Sequence, residues 1–127
     1  MLKAAKQNSG KSKIIAVTVL TSNKLKHELE VLDLVKDSVK AKVDGIVCSG
    51  HELDQIKSLS GSKKLIKVVP GIRPNWYKAK DDQNRKMTPK DAMNRGADFL
   101  VIGRPITKNK SKETILNSLE NIFGEEN

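Results

Sequence analysis

Leu65-Ile-Lys-Val-Val-Pro-Gly-Ile-Arg-Pro74, followed by a polar run to Asp81-Asp-Gln-Asn-Arg-Lys-Met-Thr88, decides how the chain reads. Leu65 to Val69 is β-branched and apolar, as a buried strand requires. Pro70 and Gly71 end it, because proline cannot donate to a ladder and glycine opens backbone paths closed to other residues. Arg73 therefore falls just past the C-terminal end of a strand. Polar residues follow, with Asp81, Asp82, Gln83 and Arg85 grouped. Thr88-Pro89 then reads as an N-cap with proline at the first helical position, and Asp91 lies in the first turn. A strand, a long polar loop and a capped helix together make a ligand loop on a β/α scaffold.

The same grammar recurs downstream. Phe99-Leu-Val-Ile-Gly-Arg-Pro105 is an apolar strand that also runs into Gly, Arg and Pro. Gly103 permits close backbone approach to an anion, and Arg104 offers a planar fork suited to phosphate. Two strands ending in arginine point to one anionic ligand held between them. The alternative for each is a strand-ending turn with a surface arginine.

Upstream, the spacing predicts a strand over 14–20 and an amphipathic helix over 24–42, with Leu25, Leu29, Leu32, Val35 and Val39 on its apolar stripe. A second strand is expected over 45–48. A helix over 51–59 follows, with Leu53, Ile56 and Leu59 inward. Pro89 to Arg95 is helical and closed by Gly96. The last helix runs over 112–123, with Ile115, Leu119, Ile122 and Phe123 inward. Residues 1–13 read as a helix end and linker, 14–123 as the domain, and 124–127 as a frayed tail. Strands alternating with helices imply parallel pairing through right-handed crossovers, with ligands at the C-terminal strand ends. The pattern alone leaves a half barrel and an open sheet equally possible.

Composition narrows the function. The 127 residues fit one domain, about half of the ~250 residues of a typical (β/α)₈ barrel. A net charge of +9 favours anionic partners. The lysines are scattered and only 3% of residues are aromatic, so no specific nucleic-acid surface is expected. No run is long and apolar enough to span a membrane, and no signal-peptide core opens the chain. The single cysteine, Cys48, forms no internal disulfide, and a cytoplasmic setting is expected. Cys48 reads as a packing residue at a strand end. His51-Glu-Leu-Asp54 lacks the second histidine of a metal motif, so no metal is expected. Trp76 and Tyr77 either cover a ligand or anchor the loop.

Several of these stretches, in this order, resemble orotidine 5′-phosphate decarboxylase: Ala16-Val-Thr-Val-Leu-Thr-Ser22, Asp44-Gly-Ile-Val-Cys-Ser49, Val68-Val-Pro-Gly-Ile-Arg-Pro74, Asp81 to Pro89, and Ala97 to Thr107. The resemblance covers only the second half of that family. It implies half of a (β/α)₈ barrel of four β/α units, completed by a complementary N-terminal half-barrel chain or by another copy. It implies a pyrimidine nucleoside monophosphate as ligand, no cofactor, and substrate-binding roles for matching residues. Thr21 and Ser22 would read the pyrimidine's amide edge. Gln83 would bridge base and phosphate. Pro70 would help shape the base pocket, Arg73 would be a ligand-loop arginine, and Gly103 with Arg104 would hold phosphate. The turn-forming habit of Ser and Thr, or a plain strand terminator at Pro70, explains those residues equally well without the family. The connection after the first strand is shorter than the family's by roughly ten residues, a loss that surface connections tolerate. The family's catalytic Asp-x-Lys-x-x-Asp motif occurs nowhere in the chain, so no catalytic residue is assigned and the chain alone is expected to be inactive or nearly so.

Overall fold

A computed structural model of the chain describes residues 1–18, 24–77, 87–108 and 111–124, with the side chains of 24–28 left aside. After a short helix α1 (Leu2–Gln7), four strands follow: β1 (Ile15–Val17), β2 (Gly45–Val47), β3 (Ile66–Val69) and β4 (Phe99–Leu100). They form one parallel sheet in sequential order, β1-β2-β3-β4. Between and after them lie α2 (Lys24–Lys40), α3 (Leu53–Lys57), α4 (Pro89–Asn94), α5 (Arg104–Thr107) and α6 (Lys112–Gly124). Short 3₁₀ turns over Gly50–Glu52 and Ser62–Lys64 complete the connections.

The register sorts the side chains. Ala16 pairs with Ile46, and Ile46 with Lys67, while Val17 pairs with Val47, Val47 with Val68, and Val68 with Phe99. Successive strand residues face opposite ways. One face carries Ala16, Ile46, Cys48 and Val69, all buried, with Leu100 and Ile102 packed against them. The helices cover this face with Val31, Val35, Leu53, Ile56 and Ala92. The other face carries Val17, Phe99 and Val101, which are 54%, 59% and 48% exposed, beside the half-buried Val47 and Val68. The sheet thus has a finished outer core and an apolar inner face open to water.

Gly45 sets the spacing of the first three strands. A Cβ there would stand 2.5 Å from the Ile66 carbonyl oxygen and 2.8 Å from the Ile66 Cβ. Alanine would force the strands apart.

Several helix boundaries follow the sequence reading. The Thr88 hydroxyl accepts the Asp91 amide at 3.1 Å, and Pro89 opens α4. Gly96 takes φ +95°, the left-handed conformation that ends α4. The inward faces of two helices differ from expectation. On α2 the buried residues are Val31, Val35 and Ser38, whereas Leu29 is 70% exposed and Leu34 points outward. The 31/35/38 stripe is a single narrow seam, and Ser38 closes it because its hydroxyl bonds back to the Leu34 carbonyl at 2.8 Å. On α6 the buried residues are Ser118 and Ile122, and Phe123 is 63% exposed rather than inward. The fourth strand is also shorter than predicted, because the chain turns into α5 at Arg104.

Candidate functional site

The C-terminal ends of β3 and β4 lie side by side, joined through the Val101 amide on the Val69 carbonyl at 2.9 Å. Past β3 come Pro70 and Gly71, both exposed, then Ile72, Arg73 and Pro74, all buried. Past β4 come Gly103 and Arg104, both exposed, at the start of α5. The sheet therefore brings Pro70, Arg73, Gly103 and Arg104 to one end of two neighbouring strands. Thr21, Ser22 and Gln83 lie outside the described residues.

Arg73 is not a surface residue. It is 9% exposed, and its Nη1 donates to the Ile72 carbonyl at 3.1 Å. The guanidinium carbon sits 5.9 Å from the centre of the Tyr77 ring, within cation–π range. Tyr77 in turn meets Trp76 edge to face, with centroids 6.2 Å apart. The Nε–H of Arg73 is buried and has no hydrogen-bond partner among the described residues. The backbone holds it there: the Arg73 amide donates to the Met87 carbonyl at 3.0 Å, and Ile72 bridges Met87. The polar loop leaves and returns at this pinned stem.

Arg104 is the opposite case. It is exposed, and its side chain makes no hydrogen bond or ion pair with the described residues. Its backbone opens α5, with Gly103 as the N-cap. One buried and one exposed guanidinium thus follow the ends of neighbouring strands. Guanidinium groups are planar, charge-assisted donors of the kind that suits an oxyanion.

The remaining sequence candidates resolve into structure. Cys48 is 2% exposed, and burial, with Glu52 adding to it, pushes its thiol up to about 12. It is a packing residue. Glu52 closes a capping box, accepting the Ser49 amide at 3.0 Å, so the His51-Glu-Leu-Asp54 run serves a helix start. No cluster of metal-ligating side chains occurs among the described residues. None of the described helices is long and apolar enough to cross a membrane.

Residues 1–118 match the model of the orotidine 5′-phosphate decarboxylase / HUMPS family. The chain belongs to that family. It is 40% identical over 119 residues to a protein of Lactococcus lactis subsp. cremoris named orotidine 5′-phosphate decarboxylase, covering 85% of this chain and 49% of that one. It is also 40% identical to the protein of that name from Aquifex aeolicus, covering 98% of this chain and 58% of the other. The crystal structure of orotidine 5′-phosphate decarboxylase from Lactobacillus acidophilus superposes with a TM-score of 0.73 at 29% identity, over all of this chain and 58% of that one. The chain thus spans about half the length of the curated relatives it matches, and its four β/α units are half of a (β/α)₈ barrel. In that light the open inner face of the sheet is the face a closed barrel turns to its interior.

The sequence reading missed two features of the site region. One is the burial of Arg73, which no local pattern announces, because the Tyr77 ring and the Met87 return create it. The other is helix α5, whose four residues are too few for periodicity to register.

Proposed function

We propose that this chain is the ligand-binding C-terminal half of an orotidine 5′-monophosphate decarboxylase, acting when a complementary half barrel closes over its inner face. The observation that carries the reading is the placement of Arg73 and Arg104 past adjacent strands, in a chain with the family's motifs. Gly103 and Arg104 hold the nucleotide phosphate. Arg73, buried at the start of the polar loop, fixes that loop against the ligand. Thr21, Ser22 and Gln83 read the base and link it to the phosphate, as the family pattern implies.

The reaction breaks the bond between C6 of the pyrimidine and its carboxylate. Carbon dioxide leaves, the electron pair stays on C6, and a proton is delivered there. By the family pattern that proton comes from the lysine of Asp-x-Lys-x-x-Asp, which this chain lacks. Its own residues contribute remote binding, which stabilises the closed state in which the chemistry occurs. The partner half therefore supplies the proton donor and the neighbouring carboxylates.

The missing motif also favours a second reading, a phosphate-binding remnant that associates with itself and catalyses nothing. One experiment separates the two. Decarboxylation of orotidine 5′-monophosphate is measured with the chain alone, then with the first half of a relative that carries the motif. Activity only on mixing supports the split enzyme. Activity in neither case, with uridine 5′-monophosphate still bound, supports the remnant. Activity of the chain alone overturns the assignment of its residues to binding.

A further inference from the structure

Among the described residues the sheet ends at β1 on one side and at β4 on the other, and neither strand has a second neighbour. Along β1, the Ile14 carbonyl accepts the Gly45 amide at 3.2 Å, and the Thr18 amide donates to the Val47 carbonyl at 3.2 Å. In a parallel ladder alternate residues turn both backbone groups to the same neighbour. Ile14, Ala16 and Thr18 therefore face β2, and the amides and carbonyls of Ile15 and Val17 face the open edge. Such an edge is a template for another strand. The inner face between the two edges carries no charge. It presents Val17, Val47, Val68 and Phe99 in one row. Lys67, the one charged residue within these four strands, pairs with Ile46 on the opposite face. Apolar exposure continues on the helices that follow the edge strands. On α6, Leu116, Leu119 and Phe123 recur at i, i+3 and i+7, with Leu116 and Phe123 exposed and Leu119 half-buried, while Ser118 and Ile122 lie on the covered side. On α2, Leu29 is exposed.

Four strands are half of the eight that close a (β/α)₈ barrel. We propose that, in the absence of a complementary half, two copies of this chain close on each other as a two-fold, eight-stranded barrel, with β4 of each copy pairing in parallel with β1 of the other; this rests on the self-associating reading given above and fixes its geometry. The strands within each copy are all parallel, so the two-fold axis runs along the barrel. Both seams then form together, and no edge remains to recruit a third copy. The inner rows that meet are apolar, so the net charge of +9 on each chain stays outside the shared interior. The same symmetry brings Gly103 and Arg104 of both copies to one mouth of the barrel.

The test is sedimentation velocity of the chain alone over a concentration series. One discrete dimer is expected, with no larger species. Its fraction should rise with sodium chloride, because salt screens the like charges of the two copies while the seams hold none. Val17→Pro removes an amide that β2 does not use, so it is expected to keep the far-ultraviolet circular dichroism and to sediment as a monomer. Should Val17→Pro fail to fold, Val101→Glu decides: it places a charge in the shared interior and is expected to abolish the dimer. A monomer at every concentration, a ladder of larger oligomers, a dimer weakened by salt, or a dimer retained by either folded variant would each overturn the proposal. Activity on mixing with the first half of a relative is read separately, so the split enzyme can stand where the two-copy barrel fails, and the reverse.

Discussion

The carboxylate of Asp44 accepts the backbone amide of Ile14 at 2.8 Å, thirty residues away in sequence, while the Asp44 amide donates to the Ile14 carbonyl at 2.9 Å. Asp98 repeats the arrangement on Lys67, with its carboxylate on the amide at 2.7 Å and its own amide on the carbonyl at 2.9 Å. Each aspartate sits just before a strand and clips it to the start of the preceding one. Asp44 also takes the Lys6 ammonium, which fastens α1 to the sheet.

Asp44 makes stability acid-sensitive. The Lys6 ammonium, and then the Ile14 amide, hold its carboxyl below the ordinary value of 3.8. A lowered value in the folded state means that the contribution is complete above that ordinary value and is lost as pH falls through the lowered one. Urea midpoints measured between pH 7 and pH 3 should show Asp44→Asn less stable at neutral pH, with the gap closing toward the acid end. Parallel curves would show that the carboxylate does not stabilise the fold.

Cys48 should be silent toward thiol reagents in the folded chain. Its thiolate is disfavoured by burial, so at pH 8 a disulfide reagent should label it only when the sheet opens. Labelling should accelerate with urea in step with unfolding. Fast labelling of the native chain would contradict the packing described for β2.

Arg104→Ala should weaken binding of uridine 5′-monophosphate about tenfold, the scale of one charge-assisted contact, without altering the thermal midpoint. Calorimetry reads the first and a melting curve the second. Unchanged affinity would remove Arg104 from the phosphate site.

Phe99→Glu addresses the inner face. Phe99, Val17 and Val101 are about half exposed, and covering each would contribute about 1 kcal/mol. A charge in that layer should abolish association with a complementary half, or with a second copy, while the far-ultraviolet circular dichroism stays unchanged. Sedimentation velocity measures this directly. Association unaffected by the glutamate would place the contact elsewhere.

Much of this architecture was legible in the residues. The four apolar runs, the Thr88 cap and the Gly96 stop are local signals, and each depends on a neighbour within a few positions. Arg73 and Arg104 could be placed past strand ends for the same reason. What stayed hidden depends on distant partners. Nothing near Asp44 or Asp98 in sequence reveals that their carboxylates reach a strand about thirty residues back. The outward turn of Leu29 and Phe123 is equally non-local, because what a helix packs against, not its own periodicity, decides which residues are covered: the sheet core takes Val31 and Val35 of α2, whereas α6 packs against α5. The Ser62 hydroxyl, buried without a hydrogen-bond partner among the described residues, looks in sequence like any turn serine.

The bridge at Ile72–Met87, fastened again by the Arg73 amide, anchors both ends of the connection from β3 to α4 in the body of the domain. Loop-closure entropy rises by only about 0.6 kcal/mol per doubling of loop length. The alignment of β3 with α4 therefore rests on backbone bonds of its own, and not on the length of the chain that joins them.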